Sequence, residues 1–285
     1  MRESLDRFRP RKRLGQNFLV NQGAADTIVA AFRPRPDDRV LEVGPGHGVL
    51  THRLAGRVLR LTAVEIDPGL ALPLREELKD SPSVEILEAD ILDLDLTALL
   101  LRLGATPERP ARLIANLPYA IATTIILRLL DQGDLLADLL VLVQREVAER
   151  IASSPGRKSY GGLSVLCQAQ AKVEILLRLR PGSFRPIPKV ESSLVHLTLR
   201  RAREGSRPDG ETGPPTLSSL LRTAFALRRK TLLNNLERLP GPKGASIGPS
   251  TAEEVIRRAG LDPRARPEAI PVEGFLALLR TVRAL

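Results

Sequence analysis

Arg39-Val-Leu-Glu-Val-Gly-Pro-Gly-His-Gly48 is a mostly apolar run that ends in a glycine-rich turn. It reads as a strand. Gly46 and Gly48 let the backbone come close to a ligand, and a helix over 49–54 is expected behind them. A helix start attracts negative charge, here a carboxylate. A second strand, Leu61-Thr-Ala-Val-Glu-Ile66, carries Glu65. That acid falls about 20 residues after the glycines, where an acid commonly takes ribose hydroxyls in nucleotide-binding folds. The spacing from Gly44 is Gly-x-Gly-x-Gly, which differs from the dinucleotide pattern Gly-x-Gly-x-x-Gly. The difference disfavours a nicotinamide cofactor and favours S-adenosylmethionine. The competing reading of Gly44, Gly46 and Gly48 is a tight strand–helix turn with no ligand.

A third strand, Val84-Glu-Ile-Leu-Glu-Ala89, ends at Asp90. Asp90 fits an acceptor for an adenine amino group, or else it caps the segment that follows. The fourth strand leads into Arg112-Leu-Ile-Ala-Asn-Leu-Pro-Tyr-Ala120. Its apolar run stops at Asn116. Pro118 pushes Leu117 towards extended geometry and so helps aim the Leu117 carbonyl. Asn116 adds a side-chain acceptor beside it, and two acceptors can grip the two hydrogens of an exocyclic amine. Tyr119 offers a π-face, and base–aromatic stacking is worth about 1–3 kcal/mol. The competing reading is a helix start that Asn116 caps and against which Tyr119 packs. A helix over 121–130, a strand over 139–143, helices over 145–152 and 163–171, and strands over 173–179 and 194–199 continue the pattern. Such alternation predicts a Rossmann-like α/β domain with a mostly parallel sheet and helices on both faces.

The chain has 285 residues, enough for one large domain plus a small one. Hydrophobic residues make up 43% and aromatics only 3%, without Trp, so the core is aliphatic. A formal net charge of +10 points to a polyanionic partner, nucleic acid or an anionic membrane surface. An arginine-rich composition bias would give the same charge without such a partner. One Cys excludes an internal disulfide and a Cys-based metal cluster. His47, His52 and His196 lack metal-ligand spacing, so no metal is expected. The charged start has no signal-peptide core. The longest apolar region, 121–143, is broken by Arg128, Asp131, Asp134 and Asp138, so it does not span a membrane. The expectation is a cytoplasmic protein with no membrane partner.

A basic arm over 2–13 includes Arg11, Lys12 and Arg13. It is followed by Leu14-Gly-Gln-Asn-Phe-Leu-Val20, which reads as ordered and able to lie across a ligand. The stretch 153–162 reads as a mobile basic loop with Arg157 and Lys158. The proline-punctuated loop 181–190 presents Phe184, Arg185 and Lys189. Phe184 is a second wall for a base or a buried loop anchor. Residues 203–216 are polar and rich in Gly and Pro, the best linker in the chain. Beyond it, 217–239, 251–259 and 272–282 read as helices of a small domain. Arg222, Arg228, Arg229 and Lys230 fall in the first helical segment, where they grip phosphate or form a solvated face. The expected organisation is a catalytic domain over 1–202, a linker over 203–216 and a helical RNA-binding domain over 217–285.

Several ordered motifs then converge. Leu-Gly-Gln-Asn-Phe-Leu, Glu-Val-Gly-Pro-Gly-His-Gly-Val-Leu-Thr, Val-Glu-Ile-Asp, Asn-Leu-Pro-Tyr, Tyr-Gly-Gly-Leu-Ser-Val, Ser-Phe-Arg-Pro-Ile-Pro-Lys-Val-Glu-Ser and Arg-Arg-Lys-Thr-Leu-Leu-Asn-Asn-Leu occur in sequence. From about Lys12 to the C-terminal helices, the chain closely resembles the ribosomal RNA adenine dimethyltransferase family and, within it, the bacterial small-subunit group. The resemblance implies a class I methyltransferase sheet whose last strand is antiparallel. It implies S-adenosylmethionine as methyl donor and 16S rRNA in the immature small ribosomal subunit as partner. The products would be N6,N6-dimethyladenosines at two adjacent positions in the hairpin loop near the 3′ end. A monomer is the simplest expectation. The family's cofactor residues fall on Asn17, Leu19, Gly44, Glu65, Asp90 and Asn116. Its base-holding motif falls on Asn116, Leu117, Pro118 and Tyr119, and its second aromatic wall on Phe184. The 203–216 insert and the 106–110 loop depart from the family pattern without touching a motif. Two other readings stay open. One is the sibling group that dimethylates large-subunit RNA and confers macrolide resistance. The other is an RNA-binding assembly factor without catalysis. A nucleotide-dependent oxidoreductase is disfavoured by the glycine spacing.

Overall fold

Parallel strands need crossover helices between them, and the alternation along this chain supplies them. The computed structural model describes residues 16–200, 215–227, 229–240 and 246–285. The candidate RNA contacts Arg11, Lys12, Arg13 and Arg228, and all but the last two residues of the 203–216 linker, lie outside the described residues.

Two short strands, β1 (Phe18–Leu19) and β8 (Phe184–Arg185), pair antiparallel. Seven others form one sheet: β2 (Arg39–Val43), β3 (Arg60–Glu65), β4 (Val84–Glu88), β5 (Ala111–Asn116), β6 (Leu136–Gln144), β7 (Ala171–Leu179) and β9 (Ser192–Leu199). Their order is β4-β3-β2-β5-β6-β9-β7. The pairs β2–β3, β3–β4, β2–β5 and β5–β6 are parallel, and β6–β9 is antiparallel. This is the expected mostly parallel sheet, with the last strand reversed.

The register sets the site. Val43 lies beside Val64 and Ala115, Glu65 beside Glu88, and Asn116 beside Leu142. Five parallel strands therefore end at one edge, the side on which open α/β sheets bind ligands. Because β9 runs the other way, its first residue, Ser192, reaches the same edge opposite Gln144.

Helices α1 (Gln22–Phe32), α2 (Thr51–Leu54), α3 (Pro68–Glu77), α4 (Leu96–Leu103) and α5 (Ala122–Leu130) fill the connections. Asn21 caps α1 by accepting from Ala24 N at 2.9 Å, and Asp95 caps α4 by accepting from Ala98 N at 3.0 Å. The apolar face of α1, with Ala25, Ile28, Val29 and Phe32, joins a core with Val40, Ile114 and Leu140. Ala71, Leu74 and Leu78 form a second cluster with Ala63 and Ile86.

At the opposite edge of the sheet, Arg112 makes a buried knot. Its Nε and Nη2 donate to the two Asp138 oxygens at 2.9 Å each, and Nη1 donates to Asp38 at 2.9 Å. Nη2 also donates to the Phe32 carbonyl at 2.7 Å, and the guanidinium sits 4.2 Å from the Phe32 ring centre. His196 Nε2 lies 2.9 Å from Asp138 Oδ2. Burial alone would raise the Asp138 carboxyl, but the bonds from His196 and Arg112 outweigh it and hold it below the ordinary carboxylate range. The knot ties the end of α1 to β5, β6 and β9.

Compactness divides the described residues into two units. One comprises those up to Ala148 together with Glu174–Leu199, and the other comprises Glu149–Val173 and those from Arg200 to Leu285. The helical unit thus takes in 149–173, which the strand–helix alternation by itself assigns to the sheet. It contains α7 (Gly162–Gln170), α8 (Leu217–Ala224), α9 (Leu232–Leu236), α10 (Gly248–Arg258) and α11 (Val272–Arg283). Helix α6 (Arg145–Ile151) spans the division. Tyr160, Leu220, Leu236, Ile256, Phe275 and Leu278 belong to the unit's own core.

The expected helix over 217–239 is interrupted. Asn235, 1% exposed, accepts from Leu227 N at 2.8 Å and donates to the carbonyls of Leu227 and Thr231 at 3.3 and 3.1 Å. Thr231 caps α9 by accepting from Asn234 N. Arg229 and Lys230 therefore stand on a turn, outside a helix. The expected mobile loop 153–162 is anchored within the same unit: Gly156 N donates to Glu268 O at 2.7 Å, and Tyr160 donates from its hydroxyl to Ile270 O at 2.8 Å. Cys167 is buried in α7, where burial pushes its thiol up to about 12. Among the described residues, no helix is long and apolar enough to cross a membrane, and no group of His, Cys, Asp or Glu could hold a metal.

Removing Asp138 would leave the Arg112 charge buried without its main partner. Asp138→Ala is expected to cost about 3–5 kcal/mol in urea unfolding at pH 7. Because the folded Asp138 pKa is depressed, its contribution is full above the ordinary carboxylate range and is lost as pH falls through the folded value. The gap between wild type and variant therefore closes in acid, and a gap that is constant with pH would refute the assignment.

Candidate active site

The glycine turn follows β2, and its geometry demands glycine. Gly44 and Gly46 have φ of +68° and +58°. A Cβ on Gly46 would meet the Phe18 ring at 2.9 Å, so Phe18 lies directly over the turn. On Gly44 the nearest atom would be the Asn116 carbonyl oxygen at 3.8 Å, which sets the turn beside the end of β5. The tight-turn reading is thus satisfied, and the turn also adjoins Asn116. Helix α2 behind it has only four residues.

Glu65 ends β3 and is 4% exposed. Its Oε2 accepts from Gly46 N and its Oε1 from Asp67 N, each at 3.0 Å. Burial pushes this carboxyl above the ordinary range, opposed by those two backbone groups. A carboxylate has about four lone-pair sites, and with the backbone groups of Asp67, Gly46 and Ile66 against it Glu65 has room for one further donor. Ala89 N donates to Glu65 O at 3.0 Å, which brings Asp90 alongside. Asp90 Oδ1 accepts from Leu92 N at 2.8 Å and its carbonyl from Asp93 N at 3.0 Å, so it shapes a turn.

At the end of β5, Asn116 Nδ2 donates to the Asn17 carbonyl at 2.8 Å. Neither Asn116 Oδ1 nor the Leu117 carbonyl receives a hydrogen bond among the described residues. The Leu117 side chain is 1% exposed and its N–H donates to Leu142 O at 3.1 Å, so the backbone there is pinned. Pro118 and Tyr119 are half-buried. The Tyr119 hydroxyl lies 2.6 Å from Ser192 Oγ, and burial raises its pKa. Two adjacent acceptors beside an aromatic ring can hold a planar heterocycle by its amine.

Not every candidate converges here. Phe184 is fully buried in the core cluster that contains Leu19 and Leu194. Its burial fits the alternative reading of a loop anchor, paired with Leu19 of β1. Leu19 pairs with Phe184 and is 6% exposed, which leaves only its backbone to meet a ligand. Asn17 reaches the site through its carbonyl. The candidate RNA contacts Arg185 and Lys189 are exposed in the first unit, and Arg157, Lys158, Arg222, Arg229 and Lys230 are exposed in the second.

Three residues escape a reading of the sequence alone. Ile66, directly after Glu65, is 42% exposed at the strand end and offers an apolar face to a flat ring. Its signal is its place next to the acid. Ser192 leaves no local signal, since it lies 73 positions from Tyr119. Glu42, an acid inside the apolar run of β2, is 1% exposed. Its Oε2 and the facing Thr51 hydroxyl each lack a well-formed hydrogen bond among the described residues. Burial pushes Glu42 up to about 8, with Thr51 opposing and Glu65 adding to the rise.

A reversed strand inserted between β6 and β7 of a mostly parallel sheet, with glycine turn, acid and carboxamide on one edge, defines a Rossmann-like methyltransferase. The family follows from sequence: the model described as ribosomal RNA adenine dimethylase matches residues 7–254, and the chain belongs to that family. A protein named ribosomal RNA small subunit methyltransferase A from Geobacter metallireducens is 42% identical over 98% of this chain and 97% of its own length. One of the same name from Hahella chejuensis is 40% identical over 94% and 91%. Among solved structures, a dimethyladenosine transferase from Plasmodium falciparum superposes with a TM-score of 0.73 at 25% identity, covering 94% of this chain and 98% of that one. The 23S rRNA methyltransferase ErmE gives 0.63 at 25% identity, covering 94% and 100%.

Glu42→Gln tests the buried acid. From about pH 4.5 to about 8 the folded wild type retains a proton that the unfolded chain has released, so wild-type stability falls as pH rises across that window. The variant lacks this fall. It is expected to exceed wild type at pH 8 by on the order of a few kcal/mol in urea unfolding and to converge with it below pH 4.5. Parallel stability curves would show that Glu42 stays ionised.

Proposed function

We propose that this protein transfers methyl groups from S-adenosylmethionine to N6 of two adjacent adenosines in the 3′-terminal hairpin loop of 16S rRNA. The products are N6,N6-dimethyladenosines, made during small-subunit assembly in the cytoplasm. One observation carries the chemistry: Asn116 Oδ1 and the Leu117 carbonyl are adjacent, unclaimed acceptors beside Tyr119 and next to the glycine turn. The substrate assignment rests on relatives of nearly full length named for the small subunit. ErmE, named for 23S rRNA, is the more distant match at 25% identity.

The glycine turn, Glu65, Ile66 and Asp90 suit a nucleoside-bearing methyl donor, with a hydroxyl on Glu65 and the purine against Ile66. When bound, S-adenosylmethionine supplies a methyl already activated on a sulfonium. The chain's task lies with the acceptor. An adenine amine is a poor nucleophile because its lone pair is delocalised into the ring. Asn116 and Leu117 take its two hydrogens, which both aims the nitrogen and draws it out of the ring plane. Positioning of this kind can lower a barrier by about 7–11 kcal/mol. The proton leaves to water after transfer, so no Cys or His nucleophile is required. A monomethylated amine keeps one hydrogen, and one acceptor then suffices for the second round. The base must leave its stack at a cost of a few kcal/mol, less in a loop. We assign the sheet unit to catalysis and the helical residues 217–285 to RNA binding, with cations gripping phosphates.

Asn116→Ala is expected to lower kcat for methyl transfer to immature small subunits by about 10²–10³-fold while RNA affinity is kept. Unchanged turnover would refute the amine clamp. Neutralising Arg229 and Lys230 together is expected to flatten the plot of log affinity against log salt by about 0.7–0.9 for each phosphate that is no longer neutralised. An unaltered slope would mark both as a solvated face.

A further inference from the structure

The Tyr119 hydroxyl does not face open water. It meets Ser192 Oγ at 2.6 Å, and Ser192 is fully buried. Ser192 is the first residue of the antiparallel β9 and pairs with Gln144 at the end of β6. Its predecessor Glu191 is held twice: Arg145 N donates to the Glu191 carbonyl, and Arg145 Nη1 donates to Glu191 Oε2, both at 2.9 Å. The hydroxyl thus projects from a braced strand end. The next serine offers a contrast within the same strand. Ser193 is equally buried, yet its Oγ has no hydrogen-bond partner among the described residues. A buried serine is therefore tolerated here unbonded, and the bond that Ser192 makes is specific to Tyr119.

A tyrosine ring that stacks on a base has two side-chain torsions to settle. Pro118 constrains the backbone before it. The phenol–serine bond fixes the far end of the ring. A platform fixed before the base arrives loses no further freedom on binding. We infer that Ser192 is a positioning residue that holds the Tyr119 ring as a preset stacking platform for the target base, so that the reversed last strand contributes directly to substrate recognition. This inference rests on the methyltransferase reading above.

The test is a double-mutant cycle on the full-length protein with small-subunit RNA as substrate. Ser192→Ala and Tyr119→Phe each break the same bond and keep the ring. Each is expected to lower kcat/KM for RNA by about 3–10-fold, with the dissociation constant for S-adenosylmethionine unchanged. The double variant should be no worse than either single one. With 2-aminopurine at the target position, Ser192→Ala should leave the bright emission of an unstacked base where wild type quenches it. The inference is overturned if the two losses multiply, or if Ser192→Ala matches wild type in both readouts. It is overturned as well if the loss comes with weakened cofactor binding and a lowered unfolding midpoint, the pattern of general loosening. Wild-type protein that methylates no RNA would remove the underlying function, an outcome distinct from additive losses in an active enzyme.

Discussion

Asn116 carries an amide with a donor end and an acceptor end, and the fold engages only one of them. The carbonyl of Asn17 takes the donor end at 2.8 Å. With Nδ2 engaged in that bond, Oδ1 is the amide's open end, and the group that settles this is remote in sequence. The segment that supplies it also covers the glycine turn. Phe18 lies over Gly46 and meets the His47 ring edge-on at 4.7 Å between centres, and Gln16 donates to Asp67 at 3.2 Å. One short segment thus covers the glycine turn and orients the Asn116 carboxamide.

The two edges of the sheet treat charge differently. At the edge away from the site, Arg112 and Asp138 are buried but fully paired, and the cost of desolvating them is offset by mutual bonds. At the site edge, Glu42 and Glu65 are two buried acids with no buried cation bonded to them among the described residues. Glu65 is compensated by backbone N–H groups, Glu42 hardly at all. Such an arrangement lowers stability, and concentrations of that kind are usual where a site must bind rather than merely fold. The same contrast appears between the serines of β9, one bonded to Tyr119 and one left unbonded among the described residues.

The helical unit shows how a polar side chain reshapes a run that is helical in pattern. From 217 to 239 the apolar spacing suits a continuous helix, yet Asn235 bonds both backbone groups of Leu227 and opens a turn there. Local side-chain bonds compete with the helix ladder for the same groups. The outcome places Arg229 and Lys230, both exposed, on a turn rather than on the side of a helix.

Strand and helix alternation, the glycine turn with its positive φ, Glu65 at its strand end and the Asn-Leu-Pro-Tyr kink are all legible in the chain by itself. Each is a matter of short-range pattern: periodicity, an allowed backbone region, or a proline's effect on its neighbour. The reversal of the last strand came only with the family resemblance, and the break before α9 and the grip of 149–173 on the helical core are not legible at all. Nor are the pairings of Asn116 with Asn17, 99 positions away, and of Tyr119 with Ser192, 73 away. Those depend on which distant backbone arrives at the same strand end. Local chemistry named the groups able to hold an adenine amine. Packing around them chose which atoms face outward, because a hydrogen bond's direction is set by the partner the fold delivers.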